Sequence, residues 1–259
     1  MKFDISPYRL KIASNDAEIK AAQGLRYKVF VEEMGAQASA KDHIDRLERD
    51  EYDRHFEHIL LIDETCEDPI DQVIGVYRVM TDKAAAKGIG FYSKTEFDLS
   101  GLQATNRSLL ELGRSCVHKD HRGGKALHIL WNGLADYIRQ SGSEILFGTA
   151  SFPGIDPQKI ENSLSYLHHY HSSEPALQVK ANDAAFVEMN RLPKDRLDRR
   201  AAVSNLPPLL KAYLRIGGRV AHGAWLDKDF NTIDVCLIVD LANIPRSQMM
   251  LYSDGAIAE

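Results

Sequence analysis

The stretch "LLELGRSCVHKDHRGGKALHILWNGLADYIRQ", residues 109–140, decides how this chain folds. It opens as an apolar run interrupted by Glu111 and Arg114, and from about Lys125 to Gln140 it carries a helical period. The join is "HKDHRGGKAL". A strand that turns through glycines into a helix builds an anion site: the first helical N–H groups lack internal partners, and the helix dipole places partial positive charge there. Gly123 and Gly124 let backbone approach a ligand, and Arg122 and Lys125 add charge. The loop is neither a GxxxxGK[ST] phosphate loop nor a dinucleotide fingerprint, whose third glycine is missing.

Glu111 and Arg114 sharpen this reading. Residues three apart in a regular strand face opposite sides, so one of the pair would enter the core unpaired, at considerable cost. Gly113 offers a bulge that turns both side chains to one face. The pair is then either a structural ion bridge or an acid held beside reacting groups. A bulge also leaves strand N–H groups available to a carbonyl oxygen that turns negative in acyl transfer.

Outward from this stretch, the pattern predicts a strand at "YRLKIAS" and a helix over 14–34, with Asn15 and Glu18 at capping-box spacing. Strands "FEHILLID" and "DQVIGVYRVMT" flank a turn around Asp68 and Pro69, and residues 84–102 read as a loop with a helical turn. After residue 140 come the strand "SEILFGTASF", a helix ending in "LSYLHHYH", a short helix in "LPPLLKAYLRIGG", and the strands "VAHGAWLDKDF" and "TIDVCLIVDL". The order predicts a mixed α/β sheet with one parallel crossover after the Leu109 strand. No composition shift divides residues 1–259, so one domain is expected.

Hydrophobic and charged fractions of 44% and 27% are those of a globular protein with a real core. A net charge of −5 gives no basic field for nucleic acid. Three cysteines, irregularly spaced and without a CxxC, point to a reduced compartment. The N-terminus lacks a signal-type apolar segment and no window reaches a membrane span, so a cytoplasmic protein is expected. The charge is uneven: residues 191–219 hold eight Lys/Arg against Asp195 and Asp198, a net +6. That segment is either a solvated face or a dock for an acidic protein or anionic bilayer, and its helix, with Leu206, Leu210, Tyr213 and Leu214, is expected on the core rather than on a membrane. His168, His169 and His171 diverge on a helix and lack a matching carboxylate pair, so no metal is expected.

The strand, the "VHKDHRGGKAL" loop and the helix resemble the acyl-donor motif of GNAT-fold N-acyltransferases, with Arg122, Gly123, Gly124, Lys125 and Ala126 in the loop. The resemblance implies a mostly antiparallel central sheet with a splayed parallel strand pair and flanking helices. Arg26 with Phe30, Asp50 with Asp53, Arg78, and Glu111 with Arg114 are similar to a set shared with acyl-homoserine-lactone synthases. Ala36 stands where those synthases have a tryptophan, which disfavours a lactone product. "LRYKVFVEEMGA", "GFYSKTEFDL", "LELGRSCVHKDHR", "LFGTASFPGIDP" and the blocks that follow resemble the bacterial ornithine N-acyltransferase family over about residues 20–240.

That resemblance implies transfer of a (3-hydroxy)fatty acyl group from the phosphopantetheine arm of acyl carrier protein to the α-amine of ornithine, with no permanently bound cofactor. Glutamine, glycine or tyrosine as acceptor, or a lactone-type synthesis, are the alternatives. Glu111 is expected as general base, directly or through a water, oriented by Arg114. Tyr166 is expected as proton donor to the leaving thiolate. Cys116, Val117 and His118 would supply oxyanion and donor contacts together with residues 122–126. Arg26 or Arg78 would hold the substrate carboxylate, Phe30 would wall the acyl chain, and Asp50 and Asp53 would meet the substrate's cationic end or brace the arginines. The basic segment would receive the acidic carrier protein, with transient inner-membrane contact through residues 206–216. A non-catalytic, haemolysin-like lipid binder is the reading of another class, and it has no use for a buried Glu111 and Arg114.

Overall fold

The structure, a computed structural model, describes residues 7–68 and 71–244. In chain order it contains β1 (Tyr8–Ile12), α1 (Asp16–Arg26), α2 (Ala40–Asp45), β2 (Glu57–Asp63), β3 (Val73–Thr81), α3 (Asp82–Lys87), β4 (Phe97–Asp98), α4 (Ser100–Gln103) and β5 (Leu109–Val117). There follow α5 (Lys125–Ser141), β6 (Ile145–Pro153), α6 (Glu161–His171), β7 (Lys180–Ala181), β8 (Phe186–Val187), α7 (Arg199–Ser204) and α8 (Pro208–Arg215). The last strands are β9 (Arg219–Val220), β10 (Ala224–Asp227) and β11 (Thr232–Asp240). The expected turn at Asp68 and Pro69 falls partly on residues outside the described ones.

The described residues form two compact units, one from residues 7–89 with Leu112–Gly142, the other from Gly90–Glu111 with residues 143–244. In the first unit β1, β2 and β3 pair antiparallel, and β5 lies next to β3. Alternation buries both faces of β2. Leu60 and Ile62 join Ala21, Ala22 and Leu25 of α1, whereas Ile59 lies close to Gly133 of α5 and Leu61 packs near Gly75 and Leu130. Asn15 caps α1 by accepting from the Glu18 N–H at 3.0 Å, while the Glu18 carboxylate takes the Ser14 N–H at 2.8 Å. The predicted single helix changes character midway: Tyr27–Glu33 is π-helical, and the Met34 N–H reaches back to Val29.

In the second unit the start of β5 runs parallel to β6, but only from Leu109↔Ile145 to Glu111↔Phe147. β6 keeps its antiparallel partner β11 all the way to Pro153, and β10 and β8 complete that side. A mixed, mostly antiparallel sheet with one short parallel pair and flanking helices is the fold the sequence leads one to expect. The stretch read as a loop contains α3, β4 and α4, with Thr81 capping α3 through the Ala84 N–H.

Leu206, Leu210, Tyr213 and Ile216 are all buried, so the apolar face of α8 belongs to the core of its unit. This is the core packing expected of the helix, with Leu214 half-buried beside them. Leu210 is fully buried; Leu210→Ala should therefore cost ~2–5 kcal/mol, measurable in denaturant titrations. Among the described residues no helix is long and apolar enough to cross a membrane.

Candidate active site

Glu111 lies where the β5–β6 pairing ends and is 1% exposed. Its carboxylate accepts two backbone N–H groups, from Tyr92 at 2.8 Å and Ser93 at 2.5 Å. These amides open the 3-10 turn Tyr92–Thr95, which has no side-chain cap from Phe91, its own N-cap residue. The turn is pinned by Phe91, whose ring stands edge-on to Phe147 at 5.0 Å. A sequence reading names Arg114 as the group that orients Glu111; these two amides are orienting donors that it missed.

Arg114 marks a break in the strand. It has φ +49°, a left-handed conformation that is unfavourable for a residue with a Cβ, while Gly113 is not in that region. The irregularity expected at the glycine thus sits one residue later. The guanidinium is held by Glu48 Oε1 at 3.3 Å and Asp50 Oδ2 at 3.1 Å, and these bonds fix the strained residue in place.

Both carboxylates belong to a larger network in the first unit. Arg26 bonds Glu48 and, at 2.5 Å, Asp53. Arg78 reaches Asp50 at 2.7 Å and Asp53 at 2.8 Å, with its guanidinium 4.4 Å from the Phe56 ring centre. Gln23 adds a 2.8 Å bond to the other Asp53 oxygen. Three arginines and three acids balance. Arg26 and Arg78 are fully buried, so Asp50 and Asp53 brace arginines, and the arginines are engaged by carboxylates of the chain itself. Arg26 Nη2 has no partner among the described residues. Glu48 was missing from the sequence reading, which paired Arg114 with Glu111 and so left no arginine visibly short of an acid.

Burial disfavours charge on Glu48 and Asp53, but the neighbouring arginines win and hold both carboxyls below the ordinary range. A depressed folded pKa contributes stability above the unfolded value near 4 that is lost as pH falls through the lower folded values. The melting temperature should accordingly be flat above about pH 5 and fall progressively below about pH 4. A thermal-melt series across that range checks this.

In the donor loop, Gly123 has φ +76° and a Cβ there would meet open space, so backbone conformation rather than crowding calls for glycine. Gly124 caps α5 without a side chain, leaving the first-turn N–H groups without a side-chain cap. Arg122 donates to the Val117 carbonyl at 2.9 Å and pairs with Glu33 at 2.8 Å, Lys125 is exposed, and Ala126 is buried. The His118 N–H donates to the Ile74 carbonyl at 2.8 Å, so this amide is engaged within the fold and does not serve as the expected oxyanion donor. Burial pushes the Cys116 thiol up to about 12 and raises that of Cys236 as well. Both stay protonated and are poor nucleophiles.

Phe30 packs, partly buried, against the cluster containing Val29, Val73 and Cys116. In α6 the Tyr166 hydroxyl shares a 3.2 Å hydrogen bond with His171 Nε2, and burial followed by Arg219 lowers the His171 pKa. His169 bonds the Leu192 carbonyl at 2.8 Å. The histidine run therefore serves contacts within the fold. A group of buried acids in the second unit, Glu96, Asp227 and Asp234, also went unread in the sequence.

Comparison with known proteins defines the class first. The acetyltransferase (GNAT) domain family matches residues 25–132. The fold is similar to that of the AHL synthase LasI, with a TM-score of 0.51 at 16% identity, covering 97% of this chain and 98% of that one. A CoA-dependent acyl-homoserine lactone synthase, BjaI, gives 0.51 at 13% identity, over 97% and 91%. Among curated relatives, the L-ornithine N(alpha)-acyltransferase of Rhodobacter capsulatus is 46% identical over 247 residues, 95% of each chain. That of Brucella abortus is 35% identical over 255 residues, 97% of this chain and 91% of the relative. The chain belongs to the L-ornithine N(alpha)-acyltransferase family.

Proposed function

We propose that this protein moves a (3-hydroxy)fatty acyl group from the phosphopantetheine thioester of acyl carrier protein to the α-amine of L-ornithine, giving lyso-ornithine lipid. The observation that carries the reading is a buried Glu111, fixed by two amides at the end of the short parallel strand pair, in a member of a family named for Nα-acylation of L-ornithine. The neutral amine attacks the thioester carbonyl, the C–N bond forms and the C–S bond breaks. Glu111 takes the amine proton through a water, strand amides before His118 stabilise the oxyanion, and Tyr166 returns a proton to the thiolate. The buried, protonated Cys116 and Cys236 favour direct transfer over an acyl-cysteine intermediate.

Residues 122–126 and the start of α5 receive the phosphopantetheine arm. No permanently bound cofactor is required. The exposed Lys194, Arg196, Arg199, Arg200 and Arg215 steer the acidic carrier protein. Replacing Arg196 and Arg200 by Glu should raise KM for the carrier thioester on the order of tenfold and leave a coenzyme A thioester nearly unaffected; steady-state assays with the two donors check it. The enzyme works in the cytoplasm, and its amphiphilic product passes to the inner membrane.

Expression in a host without amino-acid lipids, followed by mass spectrometry of the lipid extract, tests the reading. An N-acyl-ornithine is expected; an acylated glutamine, glycine or tyrosine in its place would redirect the acceptor assignment.

A further inference from the structure

With Asp50 and Asp53 engaged by arginines, the positive side-chain end of a diamino acid needs other partners. The second unit holds a second group of acids. Ligand oxygens of Glu96, Asp227 and Asp234 all lie within 4.8 Å of one another, and the three residues are at most 9% exposed. Three carboxylates this close and this buried form a negative patch whose desolvation a bound cation would offset.

The strand register supplies an independent observation. Thr232 stands directly opposite Asp227 in the β10–β11 pair, and Asp234 lies two residues further along, so the three side chains share one face. Thr232 is 1% exposed, and its Oγ1 has no hydrogen-bond partner among the described residues. A buried hydroxyl left open on a face of acids is an acceptor in waiting. Asp227 spends Oδ1 on the turn amides of Asp229 and Phe230, at 2.8 and 2.9 Å. That bond also fixes where its carboxyl group sits.

The dimensions suit an ammonium group. An R–NH₃⁺ ion with one oxygen at about 2.8 Å along each of its three N–H bonds spaces those oxygens by about 4.6 Å. Glu111 stands opposite Phe147 of β6, which stands opposite Ile238 of β11, four residues beyond Asp234 and on the same face. The acid that would deprotonate the α-amine and the acid cluster therefore act on the same part of one unit.

We propose that Glu96, Asp227 and Asp234, with Thr232 Oγ1, bind the side-chain ammonium of the acceptor amino acid and so select a diamino acid. This rests on the acceptor being ornithine. The test compares kcat/KM for L-ornithine with that for L-norvaline, the same skeleton without the δ-amine, in the wild type, Asp234→Asn and Thr232→Val. The wild type should prefer ornithine by a hundredfold or more. In Asp234→Asn that ratio should fall at least tenfold, carried by KM for ornithine. Thr232→Val should lower it severalfold; KM for the acyl donor reports that each variant is folded.

Ornithine turnover by the wild type with an undiminished ratio in both variants would overturn the ammonium pocket while keeping the acceptor assignment. Failure of the wild type to acylate ornithine would overturn both.

Discussion

Glu111→Gln lowers kcat by about a hundredfold or more, because a positioned general base contributes ~10²–10⁴ and an amide cannot take a proton. KM for the acyl donor stays within a few-fold, since the phosphopantetheine arm is received by residues 122–126. The Gln carbonyl still accepts one of the Tyr92 and Ser93 amides, and leaving the other unpaired costs about 1–3 kcal/mol. The variant is thus folded but slow. Thiol release from acyl carrier protein, followed alongside a thermal melt, separates the two effects. A normal rate with a lowered melting temperature would reduce Glu111 to a cap for the 3-10 turn.

Arg26→Met is the most damaging single change expected for stability. It leaves Glu48 and Asp53, both buried, without the guanidinium they share. Removing one partner of a buried pair costs ~3–5 kcal/mol, since the remaining charge stays desolvated. The double variant Arg26→Met with Glu48→Gln should recover part of that loss, giving a coupling energy of more than about 1 kcal/mol. Denaturant titrations of the four proteins of the cycle measure it, and additive losses would show that the network is not held together through Arg26.

Most of the fold was legible because its strands are long, apolar and bounded by turn residues, and because α5 has a helical period. The short pieces between Asp82 and Gln103 were not, since α3, β4 and α4 span only 6, 2 and 4 residues, too few to show a period. At the site, the logic that singled out Glu111, a carboxylate inside an apolar strand, applies equally to Asp234 in "TIDVCLIVDL". No glycine turn or motif accompanies Asp234, so its strand reads as an ordinary one. Arg26, Arg78, Asp50 and Asp53 were recognised as a set, but sequence could not tell substrate contact from mutual bracing. That distinction depends on which oxygens meet which guanidinium nitrogens, and Glu48 supplies the third acid from a segment with no strand or helix pattern. The strain at Arg114 instead of Gly113 is likewise a property of the network that clamps it, not of local preference.

The most direct measurement of the central claim uses the purified chain, a 3-hydroxyacyl thioester of acyl carrier protein and L-ornithine, with the product analysed by fragmentation mass spectrometry. The account predicts an amide on the α-nitrogen, formed by the wild type and nearly absent with Glu111→Gln. An amide on the δ-nitrogen, or product formed equally well by the variant, would contradict it.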